Sequence, residues 1–351
     1  MKMHLIIIII FFITAFFAFI EDRLKSSQKI LILILYVIFM IIVASTKSVE
    51  HTADASAYEN MFYNNDNSLV EIATEPTFIY ISRLVLLFGG TISLIFFLYA
   101  IISIPLKIKA FNKLTPYIFT SLLIYIPVYY ELHDLIQIRA GAAVAFLVSS
   151  IIPITQKKYI IATLLICIGA LFHYSAIIYL PVLLIGNKPL KDSWRRVIMC
   201  VLPIFILMFF LNKDFFSFIP SSLFQGKMEY YKESTEKGDW AGEFSPFYML
   251  YIWIKCIVLY IILYFYDYII EKNQFAPIII TLFTASIFLL LSISTFPVIA
   301  GRLSEVYGVI DCIAFTYLLY VLQPCYLVRA AISLTGLYMI LYSIFFTEYF
   351  T

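Results

Sequence analysis

Long apolar runs, separated by short charged or turn-forming stretches, make up this chain from end to end. A helix needs roughly 20 mostly apolar residues to cross the hydrocarbon core of a bilayer. The pattern predicts about 12 transmembrane helices, with 10 as the lower bound, at residues 5–20, 29–45, 77–105, 116–130, 134–154, 159–172, 174–186, 195–211, 247–267, 275–295, 303–322 and 327–346.

Some of these runs have features of their own. The first lacks a small-residue cleavage site and continues into Glu21-Asp22-Arg23, so we expect it to be retained as a span. Residues 77–105 are long for one crossing and carry Gly89-Gly90, which predicts a kink. The short runs on either side of His173 are expected to form a thinned hairpin. Two polar stretches, 46–76 and 212–246, are predicted to be the large external loops.

Composition restricts the class of protein. Hydrophobic residues make up 63% and charged residues only 13% of the chain, whereas soluble domains contain about 25% charged residues. The five cysteines have no ligand-like spacing, which argues against a disulfide framework or a zinc site. We therefore expect an all-α polytopic integral membrane protein, with residues 1–351 forming one transmembrane domain.

The basic residues predict the orientation, because loops rich in Lys and Arg stay in the cytoplasm. With the amino terminus outside, cytoplasmic loops hold roughly twice as many basic residues as external ones. Both large loops then face outward. We place Lys107, Lys109, Lys113 and Arg329 among the cytoplasmic residues. This orientation requires the hairpin around His173 to count as two spans.

Arg139 stands at the start of an otherwise lipid-soluble helix, followed by the small residues Ala140-Gly141-Ala142-Ala143. A guanidinium at the bilayer centre costs roughly 2.5–3.5 kcal/mol on insertion scales and cannot lose its proton. Such a residue usually has a partner or a ligand, and the small residues favour close approach of neighbouring helices around it. The alternative is a structural ion pair or a side chain that reaches the nearby interface.

Basic groups from four segments are predicted to lie in the outer half of the membrane. They are Arg83, Arg139, His173 and Arg302. A cluster of guanidinium groups beside the lipid headgroups suits a diphosphate, whose oxygens accept paired N–H donors from arginine.

Six short motifs allow a family comparison. They are Asp54-Ala55-Ser56-Ala57-Tyr58, Glu75-Pro76-Thr77-Phe78, Gln137-Ile138-Arg139, Phe172-His173-Tyr174-Ser175-Ala176, Lys227-Met228-Glu229-Tyr230-Tyr231 and Arg302-Leu303. In these motifs and their order, the chain resembles the EpsG group of Wzy-type bacterial polysaccharide polymerases over most of its length. It departs from the arginine-initiated motifs with a distant glycine of other O-antigen polymerases, because the residue eleven positions after Arg139 is Ser150.

The resemblance implies a GT-C-like helical bundle in the bacterial cytoplasmic (inner) membrane, with its active site facing the periplasm. The implied reaction passes a growing glycan from undecaprenyl diphosphate to the non-reducing end of a lipid-linked repeat unit. The expected partners are undecaprenyl-diphosphate-linked oligosaccharides, membrane lipids and a polysaccharide chain-length regulator, and no nucleic acid. We expect no metal and no other cofactor, since the external loops contain no Asp-x-Asp pair.

The resemblance also implies roles for individual residues. The expected diphosphate-binding and glycan-binding residues are Arg139, Arg302, Arg83, Tyr58, Tyr230 and Tyr231. His173 is the first candidate to accept the proton of the acceptor hydroxyl, followed by Asp54 and Glu75.

Each role has a structural alternative. His173 would also fit a turn in which it binds backbone carbonyls. Asp54 and Glu75 would also fit helix caps or partners of a neighbouring arginine. Tyrosines such as Tyr230 and Tyr231 would also fit an interfacial aromatic belt.

Other functional classes remain open. An early external acidic pair at the end of the first span would favour a glycosyltransferase that uses a polyprenyl monophosphate sugar, whereas the first external loop of this chain comes only after the second span. A flippase for lipid-linked repeats predicts polar residues at matching depths in both leaflets. An O-acyltransferase, the weaker third, would need a His–Asp arrangement near the cytoplasmic entrance.

One further prediction does not depend on the resemblance. Lys255 and Asp311 each lie 8 residues into a span that enters from the outside, which puts them at a similar depth of roughly 12 Å. Since either charge alone would be costly there, we expect them to pair across adjacent helices.

Overall fold

A computed structural model describes residues 2–65, 74–211, 246–293, 297–347 and 349–350. Over these residues the chain forms helices and no strands. This confirms the prediction of an all-α polytopic membrane protein.

The first part of the chain begins with two long apolar helices, α1 (Lys2–Ile20) and α2 (Ser26–Ser45). The predicted external loop after them contains a short helix, α3 (Ala55–Tyr63). The next elements are α4 (Pro76–Leu87), α5 (Ile92–Leu114), α6 (Ile118–Ile124), a π-helix (Tyr125–Ile136), α7 (Ile138–Thr155), α8 (Tyr159–Phe172), a 3-10 turn (Tyr174–Tyr179) and α9 (Val182–Ile185).

The later part contains several broken helices. In order they are α10 (Asp192–Phe210), α11 (Pro246–Tyr264), α12 (Tyr266–Lys272), α13 (Ala276–Ser292), α14 (Pro297–Gly308), α15 (Asp311–Ala314), a 3-10 turn (Phe315–Tyr317), α16 (Leu318–Val321) and α17 (Cys325–Phe346). The predicted second external loop, 212–246, lies outside the described residues except for its last position.

The number of membrane-spanning helices is lower than the 10 to 12 expected. Among the described residues, six helices are long and apolar enough to cross a bilayer, and up to eight if each of two bent pairs counts as one span. Several of the predicted apolar runs do form helices, but breaks within the runs make these helices too short to count as spans. In the described part of the chain, α4, α8 and α13 are among the apolar helices of only 10–17 residues.

The break between α4 and α5 is where the Gly89-Gly90 kink was predicted. Gly89 has a φ of 68°, in the left-handed region that favours glycine. The apolar run is thus divided into two separate helices. Glu75 directly precedes the first of them, α4.

The chain folds as two compact units. The first unit comprises Met1–Asn187 and Leu322–Thr351, and the second comprises Lys188–Val321. In the first unit, α7 packs against α5 and α8, while α1 packs against α6 and α17. In the second unit, α13 packs against α10, α11, α14 and α15.

The predicted turn between the spans 116–130 and 134–154 is wrong. The helix continues as a π-helix to Ile136, and the chain turns only at Gln137. The π-helix contains three buried polar residues that were expected at or beside the turn: Glu131, His133 and Asp134. π-helical segments are rare and often occur at functional sites.

Candidate functional site

Glu75 is the centre of a polar cluster in the first unit. Pro76 occupies the first turn of α4, a position in which its missing N–H costs nothing. The Glu75 side chain makes no capping hydrogen bond to that helix. Instead, its Oε1 lies 2.5 Å from His173 Nδ1, and its Oε2 accepts a hydrogen bond from Arg139 Nη1. One carboxylate therefore joins two of the predicted functional residues.

Three helices position this cluster. Arg139 lies in the first turn of α7, and His173 directly follows α8 in an extended conformation. The Thr77 hydroxyl, at the start of α4, donates a 2.7 Å hydrogen bond to the carbonyl oxygen of Leu171, near the end of α8. The start of α4 is thereby fixed beside His173.

Small residues allow the backbone of α7 to approach the backbones of its neighbours closely, as the sequence predicted. A Cβ atom at Gly141 would overlap the carbonyl oxygen of His133 in the π-helix. On the next helix, a Cβ at Gly169 would lie 3.1 Å from the carbonyl oxygen of Ala143. These glycines set the distances of α7 from its two neighbours, and with them the place of Arg139.

Aromatic rings surround the cluster. The Arg139 guanidinium lies 5.4 Å from the ring centre of Tyr58 and 5.9 Å from that of Phe78, which are favourable cation–π distances. The ring centre of Tyr99 lies 6.1 Å from that of Phe78 and 5.5 Å from that of Phe172. Burial raises the pKa of Tyr58 to about 12, so its phenol stays neutral.

The Glu75 carboxylate is held in its charged form. Burial acts to raise its pKa, but the hydrogen bond with His173 and the positive charge of Arg139 outweigh burial, and the pKa lies below its ordinary value. An ionised carboxylate only accepts hydrogen bonds. His173 therefore donates from Nδ1, and in the neutral ring the lone pair is then on Nε2. The His173 side chain is 32% exposed, while that of Glu75 is 5% exposed.

A second buried network lies in the same unit and was missed by the sequence analysis. Lys107 Nζ contacts both oxygens of Asp134, at 2.9 and 3.0 Å. Asp134 also accepts hydrogen bonds from Ser103, at 2.5 Å, and Tyr125, at 2.7 Å. The prediction that Lys107 belongs to a cytoplasmic loop is wrong, because it lies inside α5 with no exposed surface.

The signal that could have found this network is Lys107, the first charged residue after a long apolar run. Its neighbour His133 is also buried, and neither ring nitrogen has a hydrogen-bond partner among the described residues. A similar basic residue, Arg329, lies in α17 and forms two hydrogen bonds with Asp22, at 2.7 and 2.9 Å.

The other predicted site residues belong to other parts of the chain. Arg83, on α4, donates to the carbonyl oxygen of Asn65 at 3.2 Å. Asp54 precedes α3 without a capping hydrogen bond, and its side chain is exposed. Arg302 lies on α14 in the second unit. Tyr230 and Tyr231 lie outside the described residues.

The structure distinguishes the alternative roles of the two acidic residues. A capping role is wrong for both Asp54 and Glu75, since neither side chain caps its helix. The alternative in which Glu75 pairs with a neighbouring arginine is confirmed. Within the described ranges, His, Cys, Asp and Glu form no group of three or more that could hold a metal ion.

The predicted pair of Lys255 and Asp311 is confirmed in the second unit. Lys255 Nζ lies 2.9 Å from Asp311 Oδ2, with both side chains buried. Tyr251 donates to the same carboxylate oxygen at 3.1 Å, and Lys255 contacts the Ser286 hydroxyl at 3.3 Å. Asp311 lies at the break between α14 and α15, rather than in the middle of one continuous span.

Comparison with known proteins gives one match. The model of the EpsG family matches residues 29–351, which is nearly the whole chain. No curated protein and no solved structure matches it.

Proposed function

We propose, because this chain belongs to the EpsG family of Wzy-like polymerases, that it joins lipid-linked oligosaccharide repeat units into a surface polysaccharide. The family indicates a polysaccharide-polymerase-like function in a membrane. The proposal adds that the units are carried on undecaprenyl diphosphate, that the product is O-antigen or a related polymer, and that the transfer takes place on the outer face of the bacterial cytoplasmic membrane.

The observation that carries the proposal is the shared carboxylate of Glu75. A carboxylate that accepts a hydrogen bond from the Nδ1–H group of a histidine fixes the ring and leaves Nε2 free to take a proton. His173 is therefore the general base, and Glu75 is a positioning residue that also stabilises the imidazolium as it forms. Asp54, which has no comparable contact, is a weaker candidate for the base.

The proposed reaction is a single displacement at the anomeric carbon of the growing glycan. The acceptor hydroxyl of the new repeat unit loses its proton to His173 Nε2, and its oxygen forms the new glycosidic bond. The bond between the anomeric carbon and the diphosphate oxygen breaks, and the lipid diphosphate leaves with the electron pair. Negative charge therefore develops on the diphosphate in the transition state.

In the proposed mechanism, Arg139 stabilises that charge. Its Nη1 is used by Glu75, its guanidinium also interacts with the Tyr58 side chain, and its Nε has no hydrogen bond among the described residues. Its remaining N–H donors suit the paired oxygens of a diphosphate. Once His173 has taken the proton, two cations face one carboxylate, so the cluster gains positive charge as the diphosphate gains negative charge. This supports a transfer that needs no divalent ion.

Deletion of the gene, followed by gel analysis of the glycan, tests the proposal. A strain without a polymerase should keep one repeat unit on its carrier, whereas loss of a flippase should leave none. Loss of a monophosphate-dependent glycosyltransferase should leave a polymer ladder with an altered repeat. Complementation with His173→Ala should leave the single unit, while His51→Ala, which changes an exposed histidine in the predicted external loop 46–76, should restore the ladder.

A further inference from the structure

The second unit contains a charged pocket that the proposed reaction does not use. It has a volume of about 330 Å³ and lies between the start of α10 and the junction of α11 with α12. Two arginines, two aspartates, one tyrosine and two apolar side chains line it. The polar and aromatic members are Asp192, Arg195, Arg196, Tyr264 and Asp267.

A sharp bend in the chain brings the opposite charges together. The axes of α11 and α12 differ by 82° across Phe265, which places Asp267 beside α10. Arg195 Nη1 binds Asp267 Oδ2 at 2.8 Å, and Arg195 Nη2 binds Asp192. The Arg195 guanidinium also lies 5.1 Å from the ring centre of Tyr266. Arg195 is thus fixed in place by its neighbours.

The pocket nevertheless keeps groups of both signs for a ligand. The Asp192 and Asp267 side chains are 73% and 72% exposed, so each retains an accessible oxygen that Arg195 does not use. The guanidinium of Arg196 is exposed and makes no hydrogen bond or ion pair with the described residues. Equal numbers of arginines and aspartates favour a ligand that itself carries one positive and one negative group.

The position of the pocket along the helices indicates a lipid. Asp192 begins a helix that is long and apolar enough to cross a bilayer, so the pocket lies at one end of a candidate span. Trp194, Tyr264 and Tyr268, close to the pocket in sequence, are 61%, 74% and 46% exposed. Exposed Trp and Tyr at the ends of apolar helices are typical of the boundary between membrane and water. Zwitterionic lipid headgroups carry both charges and lie at this boundary.

We propose that this pocket binds the headgroup of a zwitterionic aminophospholipid, that is, a phosphodiester linked to a primary ammonium, as in phosphatidylethanolamine. Arg196 binds the phosphodiester, as a guanidinium binds paired oxygens. The ammonium donates its three N–H groups to Asp192 and Asp267, beside the ring of Tyr264. The proposal does not rest on the proposed polymerase activity.

Lipids of related chemistry should bind less well. Phosphatidylglycerol has the phosphodiester but no ammonium, so its headgroup leaves the two carboxylates without a partner. Stepwise methylation of the ammonium removes N–H donors while keeping the charge. Affinity should therefore fall from the primary amine to the trimethylated headgroup, whose cation keeps only its contact with the aromatic ring.

Native mass spectrometry of the full chain in detergent, with defined lipids added, measures this binding. We expect about tenfold stronger retention of phosphatidylethanolamine than of phosphatidylglycerol, since a hydrogen-bonded charge pair is lost. Arg196→Gln should reduce retention of both lipids. Asp267→Asn should reduce the retention of phosphatidylethanolamine. It should increase the retention of phosphatidylglycerol, because Arg195 is partly released from its ion pair with Asp267. Lys191→Gln, a change of an exposed basic residue just before α10, should change neither.

Three results would overturn the proposal. One is equal retention of the two lipids by the wild type, and another is an Arg196→Gln variant with unchanged retention. The third is displacement of the lipid by free phosphoethanolamine at equal concentration, which would identify a soluble phosphate compound as the ligand. Because Arg196 is exposed, its replacement should leave the yield of folded protein unchanged, and size-exclusion chromatography checks this.

Discussion

Replacement of Glu75 by glutamine should remove most of the polymerase activity while leaving the protein folded. Glutamine has nearly the same shape but offers one carbonyl oxygen in place of two carboxylate oxygens. In the wild type, the two carboxylate oxygens accept hydrogen bonds from Arg139 Nη1 and His173 Nδ1. In the variant only one donor can keep its acceptor, and the other faces an N–H group.

The size of the effect follows from these contacts. If the amide oxygen stays with Arg139, the amide N–H faces Nδ1 of His173 and favours the ring form with its proton on Nε2. That form cannot accept the proton of the acceptor hydroxyl. General-base catalysis contributes roughly 10²–10⁴-fold to a rate, which corresponds to about 3–5 kcal/mol in the barrier. We expect a decrease in this range, and a partial return of activity in Glu75→Asp.

The assay is the initial rate of polymer formation in membranes supplied with lipid-linked repeat units, at matched amounts of folded protein. Glu59→Gln, which neutralises an acidic residue on α3 in the same predicted external loop, is the matched control and should keep the wild-type rate. A Glu75→Gln rate within threefold of the wild type would refute the role of the carboxylate in positioning His173.

The low pKa of Glu75 gives this variant a second readout. A carboxyl group whose folded pKa lies below its unfolded value stabilises the protein at pH values above the unfolded pKa, and this contribution is lost as the pH falls through the folded pKa. The difference in thermal stability between the wild type and Glu75→Gln should therefore narrow as the pH decreases from about 4.5, the ordinary value for this group.

Four further predictions concern other contacts. Arg139→Ala should abolish the polymer without preventing membrane insertion, and Arg139→Lys should not restore wild-type polymer length, because an ammonium lacks the paired N–H geometry; a normal ladder on gels would contradict this. Polymer synthesis should survive EDTA, and a loss that Mg²⁺ or Mn²⁺ restores would count against the proposed mechanism. Lys255→Met or Asp311→Leu alone should reduce folded yield in size-exclusion chromatography by leaving a buried charge unpaired, at a cost of roughly 3–5 kcal/mol; the double variant should recover much of it, and a double variant no better than the worse single one would argue against the pair. Gly141→Ala should lower folded yield more than Gly169→Ala, because the first Cβ overlaps a backbone carbonyl and the second only approaches one; equal yields would show that the close packing at Gly141 is not required.

Several features of the site were predictable from sequence. Arg139 and His173 stood out because each polar residue interrupts an apolar run, where an unpaired charge is costly. Glu75 stood out because the following proline marks a helix start. The pairing of Lys255 with Asp311 followed from equal depth along two spans. In each case the argument used only the distance along a helix and the cost of burying a charge.

Other features were not predictable in this way. The local pattern suggested a turn at Glu131 to His133, but the π-helix continues through it, because these polar residues are enclosed by other helices. The sequence indicated that Lys107 lies in a loop, whereas in the structure it forms a buried ion pair with Asp134. The span count was too high because apolar composition does not reveal where a helix breaks. At Gly89-Gly90 the glycine pair predicted a kink, but not that a left-handed residue would end one helix and separate it from the next.

The sequence by itself determined that the protein is a helical membrane protein, because hydrocarbon offers backbone N–H and C=O groups no partner except those of the same helix. It also determined which residues are too polar to lie unpaired in that environment. Only the tertiary structure decided which of them meet: Glu75 takes both Arg139 and His173, while Arg83 contacts Asn65. That choice depends on which helices are neighbours and at what distance, and these are set by packing between segments far apart in the chain.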